Sequence, residues 1–223
     1  QGLIGLAFCN AGHLGRQIAP YGGLDGKLST NPISFAAPRR DAEPILVDMT
    51  TSVCAEGKVR IAHNKGEMLP EGRIIDHDGN PSIDPEDFVG NPPGAILPFG
   101  GPVAYKGFCL GMVVEILGGA LGGQGTANGE TVMQSNGLHL TVYNIEHFVE
   151  EKDFHADLES LIKHVYTSRI DPRLGEILLP GDPEYRTGRQ REKEGIPIDD
   201  TTWARIMEAA RGLGLDPGSW LQG

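Results

Sequence analysis

The sequence predicts a mixed fold of the α/β or α+β class. Short apolar runs bounded by turn residues indicate strands, whereas longer segments with an apolar residue at every third or fourth position indicate helices. Long stretches rich in glycine and proline separate these elements and indicate loops. The chain has 223 residues, which is enough for one large domain or two small ones and for a sizeable core.

Five short apolar runs are predicted to be strands. The first ends at the turn Asn10-Ala11-Gly12, and the last ends at Pro180-Gly181. Asparagine, glycine and proline are typical of turns because they adopt or preset the backbone angles that turns need. The predicted strands are residues 2–8, Ile33–Ala37, Ile45–Asp48, His139–Tyr143 and Ile177–Leu179.

Four segments are predicted to be helices: 50–61, 107–122, 153–167 and 201–213. Hydroxyl side chains at Thr50, Thr51 and Ser52 suit the N-cap of the first helix.

The helix at 107–122 is apolar on every face, which predicts a central and buried position. Its one carboxylate, Glu115, then requires a buried partner, because an unpaired charge in the core is costly. The proline-rich stretch 68–98 lacks periodicity and is predicted to be a long ordered loop, of the kind that is usually functional or a linker.

Composition excludes several classes of partner. The net charge of −11 argues against nucleic acid, because phosphate binding needs clustered Lys and Arg. The basic run Arg186–Lys193 is interleaved with glutamate and predicts a solvated surface. No stretch of 18 apolar residues suits a membrane span, so no membrane partner is expected. The three widely spaced cysteines are typical of reduced thiols and predict a cytoplasmic protein.

Motif spacing excludes the common nucleotide and metal sites. No Gly-x-Gly-x-x-Gly fingerprint occurs, and Gly57-Lys58 lacks the flanking residues of a P-loop. Residues 76–80 imitate the start of a calcium loop, but Pro81 stands where that loop needs glycine, so a plain turn is favoured. The histidines are scattered without the spacing of metal ligands, so no metal is expected.

Five sequence blocks, taken together and in order, resemble the malate/L-lactate dehydrogenase type 2 family. They are Ser29-Thr30-Asn31-Pro32-Ile33; Val47-Asp48-Met49-Thr50-Thr51-Ser52; Leu69-Pro70-Glu71-Gly72 with Asp76 to Gly79 and Asp84-Pro85; Leu97 to Gly101 with Lys106-Gly107 and Glu115; and Leu179 to Glu184 with Gly195-Ile196-Pro197. The family includes ureidoglycolate, sulfolactate and 2,3-diketogulonate oxidoreductases and reductases of cyclic imino acids.

The resemblance implies an oxidoreductase that uses NAD or NADP to interconvert a small 2-hydroxy acid and its 2-oxo acid. A reductase of a cyclic imino acid is the alternative within the family. The implied fold has a largely antiparallel, non-Rossmann cofactor-binding sheet with flanking helices. Residues 1–150 are expected to form this cofactor-binding domain and residues 151–223 a C-terminal helical segment. A homodimer is also implied.

The chain departs from the family pattern in one respect. The Ser-His-Gly and His-Phe-Gly motifs that the family uses for proton transfer and substrate binding are absent. The chain also begins at Gln1 inside an apolar run, so we expect a fragment that lacks the catalytic histidine. A truncated, non-catalytic remnant of the family is therefore a second hypothesis.

The resemblance marks three cofactor-binding segments, each with an alternative. Thr50, Thr51 and Ser52 either meet the pyrophosphate or cap a helix. Tyr105 and Lys106 either meet a cofactor phosphate or lie on the surface. In the third segment, Pro180, Gly181 and Asp182 form a turn that either meets the adenosine half or merely ends at its aspartate.

Three residues are candidates for catalysis or substrate binding. Asp48 either orients a histidine, binds a cofactor hydroxyl or simply ends a strand. His139 is either a substrate contact or a satisfied core histidine. Asn31 either fixes the loop beside the substrate or serves as a turn residue before proline.

Overall fold

A computed structural model describes residues 2–12, 16–128 and 136–215. Within these ranges the chain forms strands and helices in a mixed order, which confirms the predicted class. The strands are β1 (Leu3–Asn10), β2 (Ile33–Ala37), β3 (Ile45–Met49), β4 (Ile74–Ile75), β5 (Pro81–Ser82), β6 (Ala95–Ile96) and β7 (Gly137–Asn144). The α-helices are α1 (Glu56–Lys65), α2 (Glu86–Val89), α3 (Tyr105–Val114), α4 (Glu151–Tyr166), α5 (Asp182–Glu194) and α6 (Asp200–Gly212).

The main sheet has four strands in the order β3-β2-β1-β7, and every neighbouring pair is antiparallel. In this register Phe8 of β1 lies opposite both Ile33 of β2 and His139 of β7. Ile33 in turn lies opposite Met49 of β3. The antiparallel sheet that the family resemblance implies is therefore present, and β3 and β7 are its two edges.

The prediction that 68–98 is a long ordered loop without strands or helices of its own is wrong. This stretch contains a second antiparallel sheet, in the order β5-β4-β6, together with the short helix α2. Four of its buried side chains, Leu69, Ile74, Phe88 and Ile96, pack in a core cluster with Ile18, Cys54, Val59 and Ala62. Ile75 and Ala95 pack with Ala19 in a second, smaller cluster. Each strand has two residues, which is too short to show the alternation by which strands are recognised in a sequence.

Helix α1 begins later than the sequence predicts. Its N-cap is Ala55, which contributes no side-chain hydrogen bond, and its first residue is Glu56. The segment before it is held instead by the β-bridge between Ser52 and Pro98. This tertiary pairing overrides the preference of the hydroxyl residues for a helix cap.

The apolar helix is present, but the prediction that all its faces are buried is wrong. Helix α3 continues into a π-helical turn, Glu115–Ala120. Its buried face carries glycines, including Gly107, Gly111 and Gly118. Larger apolar side chains are exposed on the other face: Leu110, Met112, Val113 and Ile116. Glycine on the inner face lets the helix approach the sheet closely, so the larger residues remain outside.

Residues 151–215 contain the three helices α4, α5 and α6. Helix α4 covers the predicted span 153–167 almost completely, and Asp199 caps α6 by accepting a hydrogen bond from the Thr202 amide at 2.9 Å. The basic run lies in α5, which has no buried residue, so the predicted solvated surface is confirmed. Residues 177–179 do not form a strand, because the backbone there meets β3 at one point, the bond from Leu46 N to Pro180 O at 3.0 Å.

Candidate functional site

A cavity of about 450 Å³ opens where β3 ends and α1 begins. Three of the predicted site residues line it together: Asp48, Thr50 and Ser52. The remaining lining residues are Pro32, Met49, Val53, Cys54, Ala55, Lys58 and Phe99. The structure therefore assembles the central predicted segment into one concave site.

Thr51, which stands between the lining residues Thr50 and Ser52, is held by hydrogen bonds to two other segments. Thr51 donates its amide to Thr30 O at 2.9 Å and its hydroxyl to the same oxygen at 3.2 Å. Phe99 N donates to Thr51 O at 2.9 Å. Because these bonds fix Thr51 on both sides, its neighbours Thr50 and Ser52 are presented in a defined geometry.

The hydroxyl groups of the site are used within the chain. Thr50 Oγ1 donates to Ser52 O at 3.0 Å, and Ser52 Oγ donates to Cys54 O at 2.7 Å. The N-capping alternative is therefore not what these hydroxyls do in this structure. A hydroxyl that donates retains two lone pairs, so both oxygens can still accept a hydrogen bond from a ligand.

The charged groups of the cavity are Asp48 and Lys58. Asp48 is exposed on the edge strand β3, and Lys58 is exposed in the first turn of α1. Neither forms a salt bridge with any residue that the structure describes. The site thus presents one carboxylate and one ammonium group that are free to meet a ligand.

The thiol of the cavity is suited to packing rather than to proton transfer. Burial raises the pKa of Cys54, and the nearby charges of Arg73 and Lys58 oppose that rise only in part. A thiol with a raised pKa stays protonated at neutral pH and is a poor nucleophile.

Tyr105 and Lys106 lie at the start of α3 and do not line this cavity. Tyr105 is exposed and contacts the Tyr21 ring edge-on, with a centroid distance of 6.0 Å. Lys106 is exposed as well. Helix α3 is nevertheless tied to the cavity, because Gly107 N donates to the carbonyl of the lining residue Phe99 at 3.2 Å. The assignment of both residues to the cofactor stays a prediction.

The turn at Pro180, Gly181 and Asp182 packs on the same strand as Asp48. A Cβ on Gly181 would come within 3.0 Å of Leu46 Cβ, and the glycine has a φ of 101°, so this close approach depends on glycine. Asp182 Oδ2 accepts a hydrogen bond from Leu179 N at 2.9 Å, as a turn-ending aspartate does. A contact with the cofactor stays a prediction.

Asn31 is fully buried and does not line the cavity, although its neighbour Pro32 does. Its Nδ2 donates to Glu115 Oε1 at 2.9 Å and to Gly111 O at 3.2 Å. The other carboxylate oxygen of Glu115 accepts from Asn10 Nδ2 at 3.2 Å and from Ala127 N at 3.0 Å. The expectation of a buried partner for Glu115 is confirmed, and the partners are neutral amides. A substrate contact by Asn31 stays a prediction.

His139 lies on the edge strand opposite the one that carries Asp48. Three strand spacings separate β7 from β3, which amounts to about 14 Å. Nε2 of His139 lies 2.9 Å from Thr141 Oγ1. The His139 ring also contacts the ring of Phe8 at a tilt, with centroids 6.0 Å apart. The structure therefore does not bring His139 to the cavity at β3, and its role as a substrate contact stays a prediction.

Seven of the ten residues that line the cavity were not predicted as site residues, and Lys58 and Phe99 are among them. Lys58 does not fit the P-loop motif, but a lysine in the first turn of a helix that follows a hydroxyl-rich segment is itself a feature of anion sites. Phe99 carries no local pattern that indicates its position, because it reaches the cavity through the tertiary bond to Thr51.

Comparison with known proteins identifies the family to which the chain belongs. The family model for malate/L-lactate dehydrogenase matches residues 1–207. The chain is 38% identical over 203 residues to hydroxycarboxylate dehydrogenase B of Escherichia coli (strain K12), covering 89% of this chain and 55% of that protein. The chain therefore belongs to the malate/L-lactate dehydrogenase family, and it spans little more than half the length of that relative.

Solved structures agree with this assignment. Malate dehydrogenase from Pyrococcus horikoshii OT3 is similar with a TM-score of 0.80 at 30% identity, covering 96% of this chain and 59% of that one. Delta1-piperideine-2-carboxylate reductase from Pseudomonas syringae pvar.tomato is similar with a TM-score of 0.73 at 32% identity, covering 93% of this chain and 60% of that one.

Proposed function

We propose that this chain is the cofactor-binding part of a dehydrogenase that uses NAD or NADP to interconvert a small 2-hydroxy acid and its 2-oxo acid. The observation that carries the proposal is the cavity at the end of β3, where Asp48, Thr50 and Ser52 converge in a member of this family. The relatives' names support the reaction class, since they include hydroxycarboxylate and L-lactate dehydrogenases.

The lining residues fit a nicotinamide dinucleotide. A dinucleotide presents phosphates and ribose hydroxyls, and the cavity offers hydroxyl oxygens, a carboxylate and an ammonium group. When bound, the nicotinamide exchanges a hydride with the substrate. In this proposal Thr50 and Ser52 bind the cofactor's polar groups, and Asp48 accepts a hydrogen bond from a ribose hydroxyl or orients a histidine.

The remaining predicted residues take roles around this centre. Tyr105 and Lys106 extend the cofactor site from the start of α3, and the turn Pro180–Asp182 extends it along β3. Asn31 and His139 remain the candidates for substrate contacts. No histidine lines the cavity among the residues that the structure describes, so we propose that proton transfer needs a group that these residues do not supply.

A homodimeric state and a cytoplasmic location belong to the same proposal. The exposed apolar side of α3, with Met112, Val113 and Ile116, suits burial in a homodimer. The three cysteines are free, which suits a cytoplasmic protein. Within the described ranges, no helix has the length and apolar character needed to cross a membrane.

Reduction of a cyclic imino acid is the second candidate. It is favoured by the similarity to delta1-piperideine-2-carboxylate reductase. This chain is 32% identical to that reductase and 30% identical to the malate dehydrogenase from Pyrococcus horikoshii OT3. The two candidates share the cofactor and differ in the acceptor, a carbonyl or an imine carbon.

The test is a titration of the folded chain with NADH and, separately, with NADPH, followed by nicotinamide fluorescence. Saturable binding of either dinucleotide is expected. Turnover is then assayed with pyruvate, oxaloacetate and Δ1-piperideine-2-carboxylate. Binding without turnover supports a cofactor-binding part that lacks the proton-transfer group. Absence of binding by a folded chain contradicts the proposal.

A further inference from the structure

We infer that Lys58 supplies the positive charge that holds a phosphate of the dinucleotide in the cavity at the end of β3. The inference rests on the proposed function and adds to it one binding residue. Neither the family resemblance nor the sequence motifs assigned Lys58 to the site.

The first argument is the charge balance of the cavity. Asp48 is the one carboxylate among its lining residues, and Lys58 is the one lysine or arginine among them. A dinucleotide carries its negative charge on the phosphates, so Asp48 alone would oppose binding. An ammonium group that lines the same cavity offsets that repulsion.

The second argument is that the ammonium group of Lys58 is not committed elsewhere. It makes no salt bridge with the residues that the structure describes, whereas Lys27 and Lys152 are both paired with carboxylates. Its charge is felt by the thiol of Cys54, which also lines the cavity. Lys58 therefore lies within electrostatic reach of the site and is free to bind an anion.

The third argument is the surroundings of Lys58 in α1. The N-cap residue Ala55 contributes no side-chain acceptor to the first backbone amides. The acidic residue of this turn, Glu56, is engaged with Arg60 at 2.6 Å and with Gln17 at 3.3 Å. A Cβ on Gly57 would meet no atom within 4 Å, so the space beside this turn is open. The positive end of the helix thus adds to the charge of Lys58.

The test compares Lys58→Met with wild type in the NADH and NADPH titrations, without any acid substrate present. We expect the dissociation constant to rise about 10-fold or more, as loss of a charge-assisted contact predicts. The matched control is Lys65→Met, which removes the same charge about 10 Å further along α1 and is expected to change affinity less than about 2-fold. Lys58→Arg should restore most of the affinity.

Salt dependence is the second measurement. If Lys58 binds a phosphate, affinity of the wild type falls with increasing salt, and the slope is smaller in Lys58→Met. Circular dichroism verifies that each variant is folded.

The outcomes separate the inference from the proposed function. Wild type that binds neither dinucleotide overturns the proposed function and the inference together. Wild type that binds while Lys58→Met binds equally well overturns the inference alone. An equal loss of affinity in Lys58→Met and in Lys65→Met also overturns it, because the effect would then come from the overall charge of the helix rather than from Lys58.

Discussion

The amide of Asn31 donates a hydrogen bond to the carboxylate of Glu115 at 2.9 Å, and both side chains are buried, at 0% and 3% exposure. The two residues are 84 positions apart in the chain. Asn31 has a φ of 42° and adjoins Thr30. The Thr30 carbonyl accepts a hydrogen bond from the amide of Thr51, which stands between the lining residues Thr50 and Ser52. This pair therefore connects the π-helical turn to the candidate cofactor site.

Glu115→Gln is expected to lower the free energy of unfolding. Glu115 accepts from Asn31, Asn10 and Ala127, so an amide NH₂ in its place would face at least one N–H donor. The loss of a buried bond that leaves polar groups unpaired costs about 1–3 kcal/mol. Urea unfolding measures this loss in the free energy of unfolding, and Glu192→Gln at an exposed position is the control. Equal stability of both variants would contradict the account.

Asn31→Asp is expected to destabilise the chain more than Glu115→Gln does. Aspartate tolerates a positive φ as asparagine does, so the change isolates the loss of the donor and the added charge. Two carboxylates would then meet in a buried site, at a cost of about 3–5 kcal/mol unless one is protonated. The deficit should shrink as the pH is lowered, because protonation restores a donor. A pH-independent deficit in urea unfolding would argue against this contact.

The ion pair between Arg39 and Glu159 predicts a pH dependence of stability. The bidentate bond, at 2.7 and 3.0 Å, lowers the pKa of Glu159, chiefly through the hydrogen bond from Arg39. Its contribution is therefore complete above the ordinary glutamate pKa and is lost as the pH falls through the lower pKa of the folded state.

Arg39→Met should remove this contribution, about 0.5–1 kcal/mol at neutral pH after allowance for solvent screening, and the loss should vanish in acid. The control is Arg189→Met, which breaks a more exposed pair with Glu43 and should have almost no effect. Urea unfolding at neutral and acid pH distinguishes the two. A loss of equal size in acid would show that packing, rather than charge, is responsible.

Gly107→Ala is expected to destabilise the start of α3 and to weaken cofactor binding. A Cβ at this position would lie 2.3 Å from Phe99 O and 2.5 Å from Phe99 N. Because these are backbone atoms, which cannot move aside easily, the free energy of unfolding should fall by about 2 kcal/mol or more. Gly188→Ala in α5 meets nothing within 4 Å and should instead stabilise by about 0.5–1 kcal/mol. Thermal unfolding of both variants checks the contrast in sign.

The sequence predicted the features that depend on local pattern. Strand β2 has the bounds that its apolar run indicates, and β3 extends one residue further, to Met49. The grouping of Asp48, Thr50 and Ser52 was predictable because they follow one another on a single segment.

Features that depend on distant pairing were not predictable. The start of α1 is displaced because Ser52 pairs with Pro98, far along the chain. Helix α5 was not predicted for a different reason: it is polar on all faces and shows no apolar stripe. The two side chains that donate to Glu115, Asn10 and Asn31, come from segments more than 80 residues away, so no spacing indicates them.

The location of the cofactor is the central claim, and NMR mapping tests it most directly. The ¹⁵N-labelled chain is titrated with NADH, and amide shifts are followed residue by residue. The account predicts that the largest changes cluster at Asp48, Thr50, Ser52 and Lys58, around the cavity at the end of β3. Changes confined to the separate cavity of about 540 Å³ that Arg39, Arg40 and His155 help to line would contradict it.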